Sequence, residues 1–115
     1  MSWRLTVRHG SEVKREQFES LDEAIAELQR TADAIQAEGP LDEVKMFRTY
    51  EPERRVHARL EITGPGRIRR REAGVDVMGD GRLVPYRGGI FKKQLEPGGG
   101  SSAYDAVRAA LGEDR

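Results

Sequence analysis

VHARLEITGPGRIRRREAGVDVMGDGRLVPYR, residues 56–87, decides the fold. Val56, Ala58, Leu60 and Ile62 alternate with His57, Arg59, Glu61 and Thr63, the period-two pattern of a strand with one buried face. Gly64-Pro65-Gly66 reads as a tight reversal. Asp80-Gly81, between Met78 and Leu83, reads as a hairpin turn. The stretch therefore predicts three consecutive antiparallel strands. Pairing across the first reversal sets Ile68 opposite Ile62 and Arg69 opposite Glu61. Unbroken, the same register would bring Arg70 against Leu60 on the buried side, where an unpaired charge is costly. One β-bulge within Arg69–Arg71 removes the conflict. It sets Glu72 opposite Arg59, Ala73 opposite Ala58, Val75 opposite Val56 and Asp76 opposite Arg55. In the second hairpin Met78 then faces Leu83, Val77 faces Val84 and Val75 faces Tyr86.

Working outward, Trp3, Leu5 and Val7 alternate with Arg4, Thr6 and Arg8 as another half-buried strand. His9-Gly10-Ser11 reads as a turn, and Val13 to Phe18 as the returning strand. At Ser20 the period changes. Ser20 with Glu23 three residues on is a capping box. Leu21, Ala24, Ile25, Leu28, Ala32 and Ile35 form one stripe at helical spacing, and Gly39-Pro40 supplies the stop. A helix is expected over Ser20–Glu38. Val44–Tyr50 reads as a further strand, followed by a turn at Glu51-Pro52-Glu53. Beyond Gly88-Gly89, Ile90–Leu95 reads as the last strand. Residues 97–101 are a Gly/Ser linker, and Ser102–Leu111 a short helix with Tyr104, Val107 and Leu111 on one face.

The expected class is α+β: ββα, then antiparallel hairpins forming a mainly antiparallel twisted sheet. One long amphipathic helix and a short C-terminal helix complete it. The core domain spans 1–96, with 102–115 packed on it.

Composition bounds the function. The 115 residues are 37% apolar and 35% charged, with no cysteine, so disulfides and thiolate chemistry are excluded. Nothing in the chain is long and apolar enough to span a bilayer, and the start lacks a signal-peptide pattern, so the expected compartment is cytoplasmic. Net charge is zero but unevenly spread. Glu16–Glu53 carries 11 acidic and 3 basic residues, Arg54–Lys93 carries 11 basic and 4 acidic. Such a division points to a binding surface or to attraction between the two halves.

No phosphate-cradling glycine motif and no nucleophile elbow occurs. Asp76, Asp80 and Gly81 echo a calcium loop, but Met78 holds a ligand position and Arg87 stands where a glutamate is needed. His9 and His57 are the only histidines. One reads as a turn residue and the other as outward on a strand, with no acid seen to converge on them, so neither a metal nor a cofactor is expected. The expected function is a small non-catalytic binding domain acting through protein or self-association contacts, not an enzyme. The alternative is a nucleic-acid-associated module whose basic sheet face carries Arg67, Arg70, Arg71, Arg82, Arg87, Lys92 and Lys93. Met78 and Leu83, pointing away from Val75 and Val77, are expected either under the terminal helix or in an interface.

Overall fold

The computed structural model describes residues 2–38, 56–65, 71–79, 81–88, 93–95 and 102–112. Among the described residues six strands form one antiparallel sheet: β1 Trp3–His9, β2 Glu12–Phe18, β3 Val56–Thr63, β4 Glu72–Met78, β5 Leu83–Arg87 and the two-residue β6 Lys93–Gln94. Their spatial order is β2-β1-β3-β4-β5-β6, so β1 lies between its hairpin partner and β3. The helices are α1, Leu21–Gln36, and α2, Ala103–Gly112. The α+β class, the long helix and the short terminal helix are as the pattern predicts. The expected strand at Val44–Tyr50 and the 97–101 linker lie outside the described residues.

Ser20 caps α1, its hydroxyl oxygen accepting from the Glu23 backbone N–H at 3.1 Å. The apolar stripe of α1 (Ala24, Ile25, Leu28, Ala32 and Ile35) is buried. It packs on Leu5, Leu60, Ile62, Ala73, Val75 and Val77, which share one face of the sheet. Val107, Ala110 and Leu111 of α2 join the same cluster. Both helices thus cover one face. The opposite face carries Arg4, Thr6, Arg59, Glu61, Asp76 and Tyr86, the alternate residues of the same strands.

Two registers differ from expectation. Thr63 pairs with Glu72, Leu60 with Val75 and Arg59 with Asp76. The Gly64 N–H continues the ladder to the Arg71 carbonyl at 2.7 Å, so the two strands are still paired at the first residue of the expected reversal. The expected bulge at Arg69–Arg71 falls largely outside the described residues. The register break that is seen lies on the other strand, between Val56 and Ala58. The second hairpin is shifted by one: Val77 pairs with Leu83, Asp76 with Val84 and Gly74 with Tyr86. Three residues separate Met78 from Arg82, whose carbonyl accepts from the Met78 N–H at 2.8 Å, and Gly81 adopts φ 91°. A third loop residue with positive φ is the G1-bulge solution to a hairpin turn, and it moves every side chain of β5 to the other face. Leu83 therefore packs against the helix-side core instead of pointing away from it, and Tyr86 lies on the polar face.

Candidate metal site

The break in β3 decides where His57 goes. Ala58, Leu60 and Ile62 face the helices, so unbroken alternation would send His57 to the side of Arg59 and Glu61. With Val56 paired to Met78 and Ala58 to Val77, His57 is the extra residue of a bulge. Bulges re-aim side chains, and this one brings His57 to His9. His9 ends β1 on the face of Leu5 and Val7, opposite Ala58. Glu38 follows the Ala37 cap of α1 and reaches the same corner.

Three Lewis-basic atoms meet there. His9 Nε2 and His57 Nε2 are 3.3 Å apart. Glu38 Oε1 lies 3.3 Å from the first and 3.4 Å from the second. The ring centroids stand 4.8 Å apart at 85°, further than the nitrogens, so the rings fan outward from a common point. Two hydrogen bonds can join both imidazoles to the carboxylate, but they leave the facing nitrogens unbridged. Each neutral imidazole offers at most one proton at Nε2 and a carboxylate offers none. Two protons serve two edges at most, leaving the third as lone pair against lone pair or N–H against N–H. A cation at the centre satisfies all three edges. The side chains of His57 and His9 are 18% and 28% exposed and Glu38 51%, so the corner opens to solvent on the carboxylate side.

Among the described residues, the candidate arginines and lysines do not converge on this corner. Arg67, Arg70 and Lys92 lie outside the described residues. Lys93 pairs with Arg87 at the β5–β6 edge. Arg71 donates to the Leu111 carbonyl at 3.3 Å, placing a cation at the negative end of α2. Arg82 sits at the β4–β5 turn, the far end of the hairpin from Arg71 and Arg87. Seven residues of β4, about 20 Å at strand rise, separate the two ends.

A second polar set occupies the other sheet face. Arg59 donates twice to Asp76, at 2.7 and 3.2 Å, and its guanidinium lies 5.3 Å from the Tyr86 ring centre. The Tyr86 hydroxyl donates to Glu61 Oε2 at 3.0 Å. Burial pushes the Glu61 carboxyl above the usual carboxylate range, and the Glu72 carboxylate adds to this against the Tyr86 bond. Burial, then Glu61, hold the Tyr86 phenol protonated well above its ordinary value. These pairs are mutually matched and hold the sheet together.

No protein family, characterised protein or solved structure matches the chain. The chemistry of the site has to follow from its own atoms. Sequence reasoning weighed His9 and His57 and set them aside, and did not reach Glu38, because the three stand far apart in the chain and meet only through the β1–β3 pairing, the bulge and the end of α1. The signals available were an acid closing the helical pattern at Glu38, a histidine closing one strand at His9 and another one residue inside the next at His57.

Proposed function

We propose that this chain is a small non-catalytic binding domain whose ligand is a divalent cation, taken at the corner formed by the end of β1, the bulge of β3 and the end of α1. The triangle of His9, His57 and Glu38 carries the reading: two imidazole nitrogens and a carboxylate oxygen at near-equal separations around one point. Helix electrostatics add support. The last turn of α1 holds no basic residue, and a cation beside Glu38 would sit at the negative end of the helix. Equilibrium dialysis of the tag-free chain against zinc, manganese, magnesium and calcium separately, followed by metal analysis, tests it. One equivalent of at least one ion should be retained, and lost in the His9→Asn/His57→Asn variant. Equal retention by the two proteins for every ion would remove the reading.

The charge division between the acidic α1 region and the basic β3–β6 region favours a second reading, association with a protein partner, another copy of the chain or nucleic acid. Light scattering with and without a short duplex separates these outcomes by mass.

A further inference from the structure

We infer that the His9–Glu38–His57 site is built for a zinc-type ion in tetrahedral coordination. The inference rests on the cation-binding reading and names the class of ion. Its first support is the size of the triangle, with edges of 3.3, 3.3 and 3.4 Å. Zinc holds imidazole nitrogen and carboxylate oxygen at about 2.0–2.2 Å, and the edge of a tetrahedron of that radius is roughly 3.3–3.6 Å. An octahedral magnesium site, at about 2.0–2.1 Å, requires adjacent ligands only about 2.9 Å apart. The triangle is too open for that geometry and fits the tetrahedral one.

Donor chemistry supplies the second support. Calcium, at about 2.3–2.6 Å, would tolerate edges of this length, but it takes six to eight oxygen ligands. Two of the three atoms here are imidazole nitrogens. That set suits zinc, copper, nickel and iron, and disfavours magnesium and calcium. Size and donor type together leave a borderline ion that accepts four-coordination. Zinc and its spectroscopic substitute cobalt(II) meet both demands.

The β3 bulge gives the third support. The sheet gives up a regular ladder position between Val56 and Ala58, and the residue set free is one of the two nitrogen donors. Val56, at that strand end, stands 46% exposed.

Cobalt(II) titrated into the full, tag-free chain tests the inference. The expected result is intense visible absorption bands, the signature of a four-coordinate site, bleached by one equivalent of zinc and unaffected by a large excess of magnesium. Glu38→Gln should weaken zinc binding by at least about tenfold, since even loss of an outer-shell partner costs a metal site about 10–100-fold in affinity. Cobalt binding with only the faint bands of six-coordination, or displacement of cobalt by magnesium, would overturn the tetrahedral zinc assignment while leaving cation binding intact. An absence of binding by any ion in the dialysis panel would overturn both.

Discussion

Asp76 stands directly opposite Arg59 on the neighbouring strand and accepts two hydrogen bonds from its guanidinium, at 2.7 and 3.2 Å. The two ends are not equivalent. The Asp76 side chain is 4% exposed and that of Arg59 38%. Removing the arginine withdraws two charge-assisted bonds from a carboxylate that water hardly reaches. Neutralising the aspartate leaves a guanidinium that can turn toward solvent. Arg59→Met should therefore destabilise the fold by about 2–4 kcal/mol, and Asp76→Asn by about half of that. Denaturant midpoints of the two variants check the order. The reverse order would mean that the buried carboxylate does not depend on Arg59.

Glu61 predicts a pH dependence. Its folded-state pKa is raised by burial, so the folded chain holds this proton more tightly than the unfolded chain. The resulting stabilisation is fully present below the unfolded-state value, about 4.3, and is lost as pH rises through the folded-state value. Glu61→Gln carries no charge at any pH and can still accept from Tyr86. Its stability relative to the native sequence should rise with pH across that window. A stability difference that stays flat from pH 4 to 8 would show that the Glu61 carboxylate is not penalised by its surroundings.

At Gly74 the backbone of β3 crowds the position where a side chain would begin. A Cβ added there would lie 2.0 Å from the Leu60 carbonyl oxygen and 2.8 Å from the Glu61 Cα, both backbone atoms. Neither can yield without separating β3 from β4. Gly74→Ala should cost at least about 3 kcal/mol, the upper end of what overpacking does where only side chains must move. Thermal unfolding measures it. A near-native midpoint would mean that these strands stand further apart.

How much of this was legible in the chain varies from element to element. Helix α1 was, because its stripe from Leu21 to Ile35 and its Ser20–Glu23 cap agree on one period and one start. The bounds of β3 were legible for the same reason. Register was not. Glu72 and Asp76 are both acids spaced by an even number from each other, so Arg59 finds an opposite charge in either pairing. Val75 likewise finds an apolar partner in Val56 or in Leu60. A shift by an even number leaves pairing arithmetic intact. Across the next turn, Val84, Pro85 and Tyr86 are all apolar, so a one-residue slip that exchanges faces leaves no mark in the pattern. The His9–Glu38–His57 corner was hidden by the same limitation. His57 looks outward by strict alternation, and only the bulge turns it inward.

Zinc should also stabilise the folded chain, since the three donors come from β1, β3 and the end of α1 and meet only in the native arrangement. Free zinc at a hundred times its dissociation constant should add about 2.7 kcal/mol to the unfolding free energy. Chemical denaturation with and without the ion checks this. The His57→Asn variant should show little of the gain. An equal gain in that variant would place the bound ion elsewhere.

Isothermal titration of zinc into the full, tag-free chain tests the central claim most directly. The account predicts a single class of site with a stoichiometry of one, weakened by at least about tenfold in each of His9→Asn, Glu38→Gln and His57→Asn, since each removes a direct ligand. The result that would contradict it is an absence of binding heat, or a binding isotherm that the three substitutions leave unchanged.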